Sequence, residues 1–380
     1  MNSIQIKRTS DTELLSSTIT WLRFPLMAAV VFAHINPNTN MQLIDYHSLK
    51  WMDLYCLIAT LGTYVITQIV VPCFFMFSGY LYFYKLKEWN KDFYLEKTKS
   101  RFRTLVIPYI IWNLMPILAY TLLYLKDFDG SSLEYLKSIK DAGIFKVFWN
   151  FHVWGTDLTN LVGWSTPING PYNLPLWFLR DLIVIQILSP IIYYFIRYTR
   201  LYGIIILGIA YYTGVWLTIP GFSISCFFFF SLGAYFSINN KNFVTELNKN
   251  KRLWLSIMVI SMFIVTFYEN TELAKFFYPI FAASGMAGAI IIVSHLLSKG
   301  KIKAKSRLSK TSFFIYVTHY VLIINYSNRI INYLFRSENA FIAIVKYFGS
   351  PLITIGFCIS MYYLLKKITP GLLNILLGGR

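Results

Sequence analysis

The chain has 380 residues, of which 56% are hydrophobic, 18% aromatic and only 14% charged. A soluble domain carries about 25% charged and about 45–50% apolar residues, so this composition excludes a disordered chain, a collagen, a coiled coil and a small disulfide scaffold, and it points to a protein dissolved largely in lipid. The net charge of +18 suggests either nucleic acid or the positive-inside asymmetry of a membrane protein, and the positions of the basic residues decide between these.

A membrane helix needs about 20 mostly apolar residues. That window predicts ten helices, over 18–36, 55–84, 104–125, 174–196, 201–218, 222–238, 253–268, 273–297, 311–334 and 340–365. The 55–84 and 340–365 stretches are long enough to be tilted, kinked at Pro72 or partly outside the bilayer. The N-terminal stretch lacks the short apolar core and small-residue site of a cleaved signal peptide. With the N-terminus placed in the cytoplasm, one set of loops holds 24 basic residues and the opposite set 7. This split predicts an all-α polytopic integral membrane bundle of about ten transmembrane helices with both termini cytoplasmic. Basic stripes in every second loop are not a DNA-binding face, so no nucleic-acid partner is expected. The chain reads as a single membrane domain, 1–380, surrounded by membrane lipid. Its one long loop, about 126–173, is outside and rich in Trp, Phe, Gly and Asn; it reads as a partly folded cover or as an interfacial aromatic belt. Cys56, Cys73, Cys226 and Cys358 sit in apolar stretches without CxxC spacing and read as small buried hydrophobes.

Ionisable groups inside membrane helices are costly, by roughly 2.5–3.5 kcal/mol each on insertion scales. The first helix, "WLRFPLMAAVVFAHINP", holds Arg23 and His34 eleven residues apart. Eleven residues are almost three whole turns, so both side chains point the same way, about 16 Å apart along the axis. Each has a plain alternative, a snorkelling Arg or an interhelical His, but together they read as two stations on one inward-facing track. "FFMFSGYLYF" (74–83) offers Ser78–Gly79 as a small spot for a substrate or for helix packing. In "EKTKSRFRTLVIPYIIW" (96–112), Lys97, Lys99, Arg101 and Arg103 crowd the cytoplasmic entrance of the third helix, where they suit phosphate or an ordinary positive-inside loop. "NGPYNLPLWFLRDLIVIQ" (169–186) brings Trp177 near Arg180 and Asp181, an interfacial ion pair or a functional one. In "KTSFFIYVTHYVLI" (310–323), Ser312, Tyr316 and His319 fall on nearly one face. There is no GxSxG, HExxH, Walker or GxGxxG motif, so no metal site and no tightly bound cofactor is expected.

In this order the segments resemble the acyltransferase-3 family of bacterial membrane O-acyltransferases. The Arg23-to-His34 spacing resembles its opening motif, "FFMFSGYL" its Ser-Gly signature, the basic approach to "IPY" its cytoplasmic Arg pair, and "LWFLRDL", "FFFFSLGAYFS" (227–237) and "SFFIYVTH" its later signatures. The family's Arg pair has two intervening residues, whereas Arg101 and Arg103 have one, which leaves Lys99 or Lys97 as the replacement partner. The resemblance implies transfer of an acyl group, acetyl as the expected one, from cytoplasmic acyl-coenzyme A to a hydroxyl of a glycan or lipid-linked sugar at the bacterial inner membrane. On that reading Lys99, Arg101 and Arg103 hold the donor's phosphates and Arg23 orients it. His34, with an ordinary pKa of about 6.5, acts as general base or forms an acyl-histidine. Ser78, Arg180 and Tyr316 are candidates for the oxyanion donor, and Trp177 and His319 complete the expected substrate site. The competing reading is a transporter or flippase for an anionic or lipid-linked solute, since intramembrane Arg and His suit a solute path as well.

Overall fold

A computed structural model describes residues 10–35, 37, 50–86, 88–124, 131–149, 162–164, 170–217, 219–304, 306–337 and 339–379. The described chain is almost wholly helical. In order it forms α1 (Asp11–Ala33), α2 (Trp51–Ala59), α3 (Val70–Phe83), α4 (Lys91–Arg101), α5 (Ile107–Tyr124), α6 (Ser131–Ala142), α7 (Trp177–Ile187), α8 (Ser189–Thr199), α9 (Leu201–Thr213), α10 (Ile224–Ile238), α11 (Phe243–Lys249), α12 (Lys251–Phe267), α13 (Glu272–Ser298), α14 (Ser306–Thr318), α15 (Ile324–Leu334), α16 (Ala340–Ile368) and α17 (Pro370–Leu376). One antiparallel ribbon, Val162–Trp164 against Val215–Leu217, is the only sheet among the described residues.

Local chemistry sets the helix starts. Ser10, Asn90, Ser223, Thr271 and Asn339 each stand at an N-cap and accept a hydrogen bond from a backbone N–H of the first turn, for example Phe93 N to Asn90 Oδ1 at 2.7 Å. Each supplies an acceptor that the first turn otherwise lacks.

By length and hydropathy five continuous helical stretches among the described residues can cross a membrane: Asp11–Ala33, Trp51–Phe83, Lys91–Leu123, Glu272–Ser298 and Ala340–Ile368. The number rises to seven if two bent pairs, Leu174–Ile187 with Ser189–Thr199 (66°) and Phe243–Lys249 with Lys251–Phe267 (81°), each count as one span. This is a multi-pass membrane protein, with fewer clean spans than the apolar windows suggest. The difference has three causes. The 174–196 window is bent, α9, α10 and α12 are short, and the 311–334 window is interrupted: Val321 and Leu322 leave helical geometry, with Leu322 at φ 64°. Of the readings open for the 55–84 stretch, Pro72 itself is not where the helix turns irregular; it sits in the first turn of α3. The irregularity lies upstream, where a π-helical turn (Thr60–Val65) and a 3-10 turn (Ile66–Ile69) join α2 to α3. The expected loop 126–173 contains helix α6 packed on α5 and a short 3-10 turn, Ile144–Val147; its 126–130, 150–161 and 165–169 portions lie outside the described residues.

The tightest contact in the bundle is α3 against α10. A Cβ at Gly79 would run into the backbone carbonyl of Phe230, and one at Gly233 into that of Met76. The two helices therefore meet backbone to backbone through reciprocal glycines, the close approach that drives helix association in lipid. Phe75, Phe83, Phe229 and Phe230 are fully buried around this contact. All four cysteines are free, and Cys73, Cys226 and Cys358 are buried. Gly79→Leu or Gly233→Leu is expected to prevent accumulation of monodisperse protein in detergent, and the alanine variants to lower stability by about 1–3 kcal/mol. Size-exclusion profiles and thermal melts check this, and an unchanged melt for either leucine variant would show that the helices are not in backbone contact.

Candidate active site

The face of α3 turned away from α10 borders a cavity of about 920 Å³. Its walls come from α1, α3, the end of α4, the 174–187 segment, α14, α16 and α17. Phe74, Ser78 and Leu81 follow the i, i+4, i+7 spacing that places them on one stripe of α3. Arg23, Met27, Val30 and His34 do the same on α1. The two ionisable groups of the first helix thus face one cavity. His34 is the residue after the last helical turn, with Ala33 closing α1; its place on the common face survives this correction.

The polar groups are divided along the cavity. The His34 and His319 rings lie 5.3 Å apart, and α1 packs against α14, so the two helices bring their C-terminal ends together. Arg23 lies eleven residues before His34, and Lys310 nine before His319. At 1.5 Å per residue both cations fall about 14–16 Å from the imidazole end. α16 runs the other way: Tyr347 touches the Phe32 ring, with centroids 5.5 Å apart, whereas Lys366 lies five turns later and lines the cavity. Arg101 comes from the end of α4, with its guanidinium 5.9 Å from the Tyr82 ring at the far end of α3. Arg23, Arg101, Lys310 and Lys366 therefore share one end, and among the described residues the lining includes no Asp or Glu. Lys310 and Lys366 are exposed there, which marks the open mouth. Such a cluster attracts and concentrates anions.

The remaining expected site residues divide into those that face the cavity and those that do not. Ser78, Trp177 and Tyr316 line it. The Tyr316 hydroxyl donates to the Pro175 carbonyl at 2.6 Å, so its proton is directed into the 174–176 turn rather than toward the cavity. Arg180 is buried and absent from the lining. Its Nε and Nη2 donate to Asp181 Oδ1 at 3.1 and 3.0 Å, and its guanidinium lies 5.5 Å from the Trp149 ring. Asp181 in turn accepts from the Ser223 backbone N–H at 3.4 Å. Arg180 and Asp181 thus anchor the 149 and 223 segments, respectively, to α7. Lys99 and Arg103 are exposed and off the lining; a side chain on Gly379 would meet the Arg103 guanidinium. His319 is fully buried behind His34. The lining also includes Lys310, Lys366, Gln186 and Asn374, which the sequence reading did not select. Lys310 and Lys366 were visible only as members of basic stripes.

A family model described as "Acyltransferase domain" matches residues 17–364. The chain is also 26% identical over 377 residues, covering 96% of this chain and 92% of the relative, to the succinoglycan biosynthesis protein ExoH of Rhizobium meliloti (strain 1021). No solved structure matches significantly. The chain belongs to the acyltransferase-3 family.

Breaking a buried ion pair on one side leaves an uncompensated charge. Asp181→Ala is accordingly expected to cost about 3–5 kcal/mol, whereas the double variant Arg180→Met, Asp181→Leu is expected to lose far less. Thermal melts of the three proteins in detergent check the order, and equal losses in the single and double variants would refute it.

Proposed function

We propose that this protein transfers an acyl group, acetyl as the expected one, from cytoplasmic acyl-coenzyme A to a hydroxyl of a surface-glycan or lipid-linked sugar, with His34 as general base. The observation that supports this most is one cavity with four cations and, among the described residues, no carboxylate at its mouth, and an imidazole about 16 Å further in. On the charge asymmetry of the loops, the bundle crosses the inner membrane ten times with both termini cytoplasmic, and the basic mouth faces the cytoplasm. Membership of an acyltransferase family and a relative named for succinoglycan biosynthesis favour a glycan acceptor.

The chemistry follows from the division of the cavity. Arg23, Arg101, Lys310 and Lys366 hold the donor's phosphates by charge-assisted hydrogen bonds. The donor's flexible arm then lies along α1 and α3, against Met27, Val30, Phe74 and Leu81, and brings the thioester toward His34. His34 takes the proton of the sugar hydroxyl as its oxygen attacks the thioester carbon. The C–O bond forms, the C–S bond breaks, and the proton passes from imidazolium to the leaving thiolate, releasing the ester and free coenzyme A. Trp177, on the turn after Pro175, offers a face for a sugar ring.

Proteoliposomes given acetyl-coenzyme A and glycan prepared from cells lacking the gene should release free coenzyme A and gain glycan acetyl esters. His34→Ala should lower this rate by at least about 100-fold while leaving membrane insertion intact. No thioester consumption, together with solute uptake, would favour transport and end the enzyme reading. Arg101→Ala and Lys310→Ala should raise the donor KM more than kcat changes, and more than Lys99→Ala or Arg103→Ala does. Equal effects at all four positions would remove the cavity mouth from donor binding.

A further inference from the structure

Two imidazoles meet at the inner end of the cavity, and only one of them borders it. The ring of His319 is fully buried, its centroid 5.3 Å from that of His34 and the planes inclined by 39°. Its Nδ1 lies 2.9 Å from the carbonyl oxygens of both Ile315 and Tyr316. Carbonyl oxygens only accept, so Nδ1 carries the hydrogen and the ring orientation is fixed on its own helix. In the neutral ring, Nε2 is then a bare acceptor. It is buried and meets no hydrogen-bond donor among the described residues. A buried acceptor without a donor is costly and calls for an explanation. The backbone adds a second sign: helical geometry breaks two residues later, at Val321 and Leu322, and breaks of this kind are common at functional sites.

Resting on the reading of His34 as base, we propose that His319 is its positioning residue: Nε2 of His319 accepts the N–H of one His34 nitrogen and leaves the other nitrogen bare toward the cavity. Ring centres 5.3 Å apart allow a modest side-chain rotation to bring two nitrogens to the about 3 Å of a hydrogen bond. The pairing sets the tautomer of His34. When His34 takes the hydroxyl proton, the imidazolium keeps one N–H on His319 and returns the other proton to the thiolate, so His319 gains and loses no proton in the cycle. His319 touches neither donor nor acceptor; it acts through His34, as second groups orient catalytic bases elsewhere.

Two substitutions separate positioning from packing. His319→Asn keeps an N–H near the Nδ1 position for the two carbonyls and removes the Nε2 acceptor. His319→Gln carries an amide oxygen to the Nε2 position and gives up the Nδ1 anchor. Both full-length proteins, in proteoliposomes with acetyl-coenzyme A and the same glycan, are compared for kcat, donor KM and melting temperature. Positioning predicts that His319→Asn melts like wild type with unchanged KM and a kcat lowered by about 100-fold, and that His319→Gln recovers most of the rate even where its melt is lower. A His319→Asn enzyme at wild-type kcat overturns the proposal, as does a His319→Gln enzyme no faster than His319→Asn. Undiminished turnover by His34→Ala would instead overturn the base assignment beneath it.

Discussion

A charge carried into a lipid-embedded bundle must either be paired or be reached by water or a ligand, and this rule sorts the cations here. Arg180 is paired: Asp181 holds it with two hydrogen bonds, and both are almost fully buried. Arg23, Arg101, Lys310 and Lys366 follow the other course. They turn onto a cavity whose lining has no carboxylate among the described residues, so an anion or solvent would relieve their mutual repulsion. A pair of residues adjacent in one motif, Arg180 and Asp181, is thus buried away from the cavity, while cations scattered over four helices line it.

The shape of the cavity follows from where the helices are regular and where they are not. α3 is pressed onto α10 through Gly79 and Gly233, and that contact fixes which stripe of α3 is left over for the cavity. On the open side the walls depart from α-helical geometry: π-helical turns occur at Thr60–Val65 and Phe102–Val106, and the helix breaks at Val321–Leu322. These stand next to Thr67, Arg101 and the His34–His319 contact. A π turn adds a residue to the helical circuit and displaces the side chains that follow, which lets a wall bow outward where straight packed helices would close the space.

Much of the bundle was legible in the sequence because its signals are local. Apolar length marks a span, and the spacing from Arg23 to His34 sets a common face without knowledge of any other helix. What failed was what depends on a partner. Broken and bent spans read as continuous, because a positive φ at Leu322 leaves no trace in hydropathy. Arg101 and Arg103 looked equivalent, yet only the first faces the cavity, since two residues along a helix turn a side chain by about 200°, to nearly the opposite side. Arg180 resembled a site residue and proved to be half of a buried pair. The C-terminal contribution was the least visible: Lys366 lines the cavity from the end of α16, and Asn374 from α17, which folds back under α5, where Trp112 Nε1 donates to the Leu376 carbonyl at 2.9 Å. Contacts between positions more than two hundred residues apart cannot be read from either segment alone.

The separation of the two ends bears on the proposed chemistry. A thioester that meets water is lost to hydrolysis, so an acyl-transfer site must admit a sugar hydroxyl while keeping bulk water from the activated carbonyl. The basic mouth, with exposed Lys310 and Lys366, is wet by necessity, because strongly hydrated ammonium groups stay soluble there. The stretch that leads inward is lined by Met27, Val30, Val70, Val71 and Phe74, and apolar walls of this kind hold water poorly. A donor whose phosphates stay at the mouth would fill that stretch with its own arm, so that the bound donor itself seals the imidazole end from the side by which it entered. The same cations would then serve two purposes at once, affinity for the donor and exclusion of the competing nucleophile, and the distance along α1 between Arg23 and His34 is what makes both possible.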